Sequence, residues 1–131
     1  MKDIYCYAAI LEKSKESYGV YFPDLPGCTS GGDTIEEAMK DAKEALLLHL
    51  YGMEQDGDEI PDPSAVENIK PKEGEYVFLV EGNYKLYKGM MKRQRKTCTL
   101  TVPAALYVAA KESGLNMSQV FQDALRDQLG L

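Results

Sequence analysis

Near the C-terminus, Lys96-Thr-Cys-Thr-Leu-Thr-Val-Pro103 sets three hydroxyls against three apolar side chains in strict alternation. In a strand, successive side chains point to opposite faces. Thr97, Thr99 and Thr101 therefore share one face, and Cys98, Leu100 and Val102 the other. A threonine hydroxyl donates or accepts hydrogen bonds, and its methyl can touch a thymine methyl, so the polar face suits the edges of either base pair. Lys92, Arg93, Arg95 and Lys96 lead into the segment with charge suited to phosphates. Such a segment cannot bury its apolar face alone. Paired with a second copy, Cys98, Leu100 and Val102 would face a shared core, and the ribbon would have the size that the DNA major groove admits.

The elements behind the strand fit that geometry. Pro103 is a helix-starting residue, and two short amphipathic helices follow, parted by Gly114-Leu-Asn-Met-Ser118. Asn116 is a good N-cap, with Gln119 three residues on as a capping-box partner. Basic lead-in, strand, proline, glycine and cap, in this order, resemble a ribbon-helix-helix DNA-binding module over residues 95–131. The resemblance implies that Thr97, Thr99 and Thr101 read bases. It implies that Lys92, Arg93, Arg95 and Lys96 hold phosphates, and that the free amides near Asn116, Met117 and Ser118 anchor another. Cys98, Leu100 and Val102 become the core of a homodimer.

The chain has 131 residues, 44% of them hydrophobic, enough for one moderate domain and a small appendage. Its net charge of −6 hides an asymmetry. Residues 1–90 hold nine Lys and Arg against eighteen Asp and Glu, net −9, whereas residues 91–131 hold six against three, net +3. An acidic body and a basic tail suggest two partners of opposite charge. Cys6, Cys28 and Cys98 stand far apart with no CxxC, which fits a reducing cytoplasm better than a disulfide scaffold or a zinc site. No apolar signal core opens the chain and no stretch approaches membrane-spanning length, so a cytoplasmic protein is expected.

In the body, Ile4–Leu11 and Tyr18–Phe22 read as strands of a hairpin, with room for a short third strand near Cys28–Ser30. Thr34 opens a helix with Glu37 in its capping box, Ala38, Ala42, Ala45 and Leu46 follow helical spacing, and Gly52 can end it. Met53–Ser64 reads as an acidic, stiff surface linker. Tyr76–Val80 reads as the clearest buried strand, and Asn83–Gly89 as a further short strand or helix.

The strings Tyr18-Gly-Val-Tyr-Phe-Pro-Asp-Leu-Pro-Gly-Cys28, Gly31-Gly-Asp-Thr34, Glu36-Glu-Ala38 and Ile60-Pro-Asp-Pro-Ser64, in a β-β-β-α-β order, resemble the body of HicB-type antitoxins. With the tail, the resemblance spans nearly the whole chain. It implies an α+β protein: a partial, catalytically inactive RNase H-like domain at residues 1–89, a hinge at 90–94, and the ribbon-helix-helix module at 95–131. It further implies that the body masks a small basic HicA-like RNA-cleaving toxin while the tail represses the operon at its operator. The oligomer expected is a homodimer through the C-terminal strand, with a tetramer as a further assembly. The resemblance names no toxin-binding residues.

Catalysis is not expected. RNase H-like nucleases hold metal ions with strand carboxylates, and the three long candidate strands contain no interior acid. Asp24 and Asp33 fall in turns, where Asp bonds its own backbone. His49, the single histidine, sits on the apolar side of its helix with no nucleophile indicated beside it. Cys28 reads as a packed thiol. Gly31-Gly32 lacks the lysine of a P-loop, and Glu54–Glu59 lacks the ligand spacing of a calcium loop. No cofactor is expected. Three other functions stay open at this level: a DNA-binding regulator whose body senses another ligand or protein, an active nuclease, and an oligomeric adaptor whose tail only dimerises.

Overall fold

The computed structural model describes residues 2–92 and 95–131. Four antiparallel strands form one sheet in the order β3-β2-β1-β4: β1 (Ile4–Lys13), β2 (Tyr18–Tyr21), β3 (Thr29–Gly32) and β4 (Glu75–Asn83). The first two make the expected hairpin, with Ile10 opposite Tyr21 and Lys13 opposite Tyr18. β4 returns along the other side of β1, pairing from Ile4–Asn83 to Glu12–Glu75. The mixed α+β class is as expected from the sequence.

Helix α1 (Ile35–Asp56) packs across one face of this sheet. Thr34 caps it, its Oγ1 accepting from the Glu37 amide at 3.1 Å, while Glu37 Oε2 accepts from the Asp33 amide at 3.0 Å. Ala38, Ala42, Leu46 and Leu50, one turn apart, are buried against Tyr5, Tyr7, Ala9, Val20 and Phe22. These strand residues share parity because a pleated strand turns every second side chain to the same side. The small side chains come early in the helix, where it crosses β3. A Cβ on Gly32 would stand 2.7 Å from Glu37 Cβ and 2.8 Å from the Ala38 amide nitrogen. Glycine there lets helix and strand touch.

Two expectations for this region need correction. Gly52 does not end α1; the helix continues for one more turn to Gly57, whose φ of 75° places it in the left-handed region. Its amide bonds back to Glu54 O, and the carbonyl of Met53 accepts from Asp58. A glycine inside a helix costs only about 1 kcal/mol, less than the packing of Leu46, Leu47 and Leu50 supplies, so the helix runs through it. The segment after Gly57 is also tied down. Pro61 O accepts from Tyr7 Oη at 2.5 Å, and Asp24 accepts from both the amide (2.8 Å) and the hydroxyl (2.6 Å) of Ser64. Asp24 thus bonds a segment 40 residues away and not its own turn.

β4 is an edge strand with Tyr76 and Leu79 largely exposed, so Tyr76–Val80 is not the buried strand that its composition suggested. Asn83 caps α2 (Tyr84–Met90), the helical outcome of the two left open. Tyr84 Oη and Lys88 Nζ both donate to the Glu54 carboxylate, joining α2 to α1. The Tyr84 hydrogen bond is the main cause that holds the Glu54 carboxyl below its ordinary value, with Lys88 next. Ionised Glu54 therefore favours the folded state above the usual glutamate pKa, and the benefit fades as pH falls through the lowered value. Thermal melts below pH 5 should show that Glu54→Gln flattens the acid side of the stability profile.

Candidate functional site

The tail contains α3 (Ala104–Glu112) and α4 (Met117–Gln128). Pro103 O accepts from the amides of Leu106 and Tyr107 to start α3, and Gly114, at φ 68°, ends it. Asn116 Oδ1 accepts from the Gln119 amide at 3.1 Å, so the N-cap stands where the sequence placed it. The reciprocal half of the capping box, a bond from the Asn116 amide to Gln119 Oε1, is not formed; Gln119 turns down the helix, where its Nε2 donates to Asp123 Oδ1 at 2.9 Å.

The reading segment behaves differently from the expectation. Arg95–Pro103 forms no regular element, so the strand expected at Lys96–Val102 is not formed by one chain. The physical reason is elementary: a strand exists only as half of a hydrogen-bonded pair, and among the described residues no segment of the chain pairs with this one. Thr97, Thr99 and Thr101 are exposed, as are Cys98, Leu100 and Val102. Arg95 and Lys96 are exposed beside them; Lys92 lies just after α2, and Arg93 falls outside the described residues. Asn116, Met117 and Ser118 stand together at the start of α4.

No described residue between 95 and 131 is buried, although the segment is rich in Leu, Val and Ala. Leu100, Val102, Leu106, Leu115, Val120 and Leu125 line one open apolar trough. A contiguous exposed apolar surface of this kind marks an interaction site. Residues 129–131 reach the body: Leu131 packs against its core, Gly130 O accepts from the Asn83 amide at 3.2 Å, and Leu129 O accepts from Asn83 Nδ2 at 3.3 Å.

A profile described as HicB_like antitoxin of bacterial toxin-antitoxin system matches residues 7–119. The chain belongs to this HicB-like antitoxin family. A 14.9 kDa protein from the rep-hol intergenic region of Haemophilus phage HP1 is 37% identical over 102 residues, 76% of this chain and 74% of its own. The HicA3 and HicB3 toxin-antitoxin complex contains a chain that is 27% identical with a TM-score of 0.52; the match covers 58% of this chain and 95% of that one. A chain in a toxin-antitoxin complex from Streptococcus pneumoniae shares the fold over 95% of this chain and 99% of its own, with a TM-score of 0.58 at 23% identity. The protein is thus an antitoxin of the HicB type, a non-catalytic class.

Among the described residues no three His, Cys, Asp or Glu side chains converge as a metal site, and no helix is long and apolar enough to cross a membrane. His49 is half-buried, with Gly27 facing its ring. Cys28 is buried, its thiol pushed up to about 11 by burial and placed 3.6 Å from Ala45 O. The carboxylates that sequence reasoning missed are Glu12, Glu75 and Glu81. The strands are longer than their apolar runs suggested, and these acids lie inside them. The signal available was spacing: Glu75 and Glu81 flank the apolar run and keep the parity of Val77 and Leu79.

Proposed function

We propose that this antitoxin masks a small basic HicA-like toxin that cleaves mRNA, using the body at residues 1–89, and represses its own operon through residues 95–131, with residues 90–94 as the hinge. The observation that carries the reading is the contrast within the chain. An acidic body has a complete core, while a basic tail buries none of its described residues and leaves an apolar trough open. A second copy supplies the missing half: two Lys96–Val102 segments pair as a ribbon, Cys98, Leu100 and Val102 meet in the shared core, and Thr97, Thr99 and Thr101 face the major groove. Arg95, Lys96, Lys92, Arg93 and the amides at Asn116, Met117 and Ser118 then hold phosphates on either side. Two such dimers can join as a tetramer, and the pair acts in the cytoplasm. The HicA partner in the related complex supports the toxin assignment, and the net charge of −9 on residues 1–90 suits a basic protein.

The test is RNA cleavage by the small basic protein encoded beside this gene, with and without this chain. Loss of cleavage at one equivalent supports the reading; undiminished cleavage ends it. On the DNA side, Thr99→Ala should weaken operator binding by about 1–3 kcal/mol with little change on random DNA, whereas Arg95→Ala should weaken both and lower the log-log salt slope by roughly 0.9. Gel-shift titrations against both DNAs decide it. Equal losses for Thr99→Ala would move base reading off this face.

A further inference from the structure

The sheet has two very different edges. β3 is four residues long and is held by α1 at Gly32. β4 is nine residues long and, among the described residues, no strand pairs with its outer side. An edge of that length presents a row of free amides and carbonyls, which proteins normally blunt with Lys, Pro or a bulge. Glu75-Tyr-Val-Phe-Leu-Val-Glu-Gly-Asn83 contains neither Lys, Arg nor Pro. Leu79 is 58% exposed, and Ile4, of matching face on the neighbouring strand, is 51% exposed. Both lie on the sheet face turned away from α1, because Tyr5, Tyr7 and Ala9 hold the opposite parity in the core.

Carboxylates interrupt and bound this strip: Glu81, opposite Cys6, lies between Ile4 and Leu79 along the strand pair, and Glu75 stands directly opposite Glu12 beyond Val77. Like charges placed opposite each other cost stability, and the pair persists with Glu75 accepting from the Lys72 amide at 2.7 Å and from the Tyr21 hydroxyl at 3.0 Å. Hydrogen bonding to Glu75 is the main cause that lifts the Glu12 carboxyl above its ordinary value. A binding surface accepts such a cost when a cation arrives to relieve it.

We propose that the outer edge of β4, with the Ile4–Leu79 strip and the carboxylates Glu12, Glu75 and Glu81, is the docking surface for the toxin, which adds a basic strand to the sheet. The proposal rests on the antitoxin reading above and names its interface. Charge argues against a second copy in this place. β4 paired antiparallel with itself about Phe78 sets Glu75 opposite Glu81 twice, and shifted registers still gather four carboxylates with no cation from either strand. A partner strand carrying Lys or Arg reverses the sign of each contact, while main-chain bonds supply affinity and alternate side chains supply selectivity.

The experiment titrates wild-type chain, the double variant Glu75→Lys/Glu81→Lys, Leu79→Lys and Leu48→Lys into the RNA-cleavage reaction of the small basic neighbour protein. Leu48 is as exposed as Leu79, at 58%, but lies on α1. The double variant should protect RNA about a hundredfold less well, Leu79→Lys should lose protection too, and Leu48→Lys should match wild type. Sedimentation of each free chain should show an unchanged mass. Full protection by the double variant overturns the docking surface and leaves the antitoxin reading intact; absence of protection by wild type overturns both. A lower free-chain mass for the β4 variants would assign the edge to a second copy instead. Should the variants misfold by circular dichroism, hydrogen exchange on the wild-type complex decides, with slowed amides at residues 75–82 expected and unchanged ones contradicting the proposal.

Discussion

Gly32→Ala should lower the melting temperature of the body by about 10 °C. The added methyl has nowhere to go: Glu37 Cβ, the Ala38 nitrogen and Glu37 C all lie within 3.0 Å of it. Two of these three are backbone atoms of the first turn of α1, so no rotamer change relieves the contact. Either β3 or the start of α1 must move, and forced shifts in a packed interior cost about 1–3 kcal/mol. For a unit of this size each kcal/mol is worth about 4–8 °C. Gly82→Ala supplies the comparison. Its methyl would stand 2.8 Å from Leu47 Cδ2, the far end of a side chain that can turn. Differential scanning calorimetry should therefore show a clearly smaller loss for Gly82→Ala; equal losses would mean that α1 slides freely on β3.

Leu100→Asp should reduce operator affinity by about a thousandfold and leave toxin masking and the melting of the body unchanged. In the proposed ribbon Leu100 is the middle of three inward side chains, so each dimer would bury two carboxylates without partners, at a cost of several kcal/mol. The dimer would come apart before accepting that, and half a ribbon does not fill the major groove. The body is spared because Leu100 is 54% exposed and makes no part of the body's core. Sedimentation gives the mass and a gel shift gives the affinity. A variant that turns monomeric yet binds the operator as before would remove the ribbon from the account.

What the sequence made legible follows the range of the forces involved. Local rules placed the hairpin, the Thr34 cap, the Asn116 cap and the Gly114 break, because each depends on a few neighbouring residues. The helix end at Gly57 was missed because Leu46, Leu47 and Leu50 hold the helix through Gly52 by contacts with a sheet that is distant in sequence. β4 was misread as buried for a similar reason. Tyr-Val-Phe-Leu-Val is as apolar as a central strand, and only the strand order shows that it has one neighbour. The reading segment at Lys96–Val102 is the extreme case, since its partner lies in another molecule. For the candidate sites, the threonine face was visible as a pattern, while the Glu12–Glu75 pair needed the register to bring residues 63 apart face to face.

The contacts of Leu129, Gly130 and Leu131 with the body turn the tail from a tether into a closed loop. A segment leashed at one end samples a wide sphere, and its local concentration at any target falls as the leash lengthens. This one leaves the body at α2 and returns to Asn83, the residue that caps the same helix. The two ends of the loop are therefore held at opposite ends of one short helix. Any load on this loop falls on the junction of β4 and α2, where Ile4 also pairs with Asn83 and the Lys85 amide donates to Asp3 O.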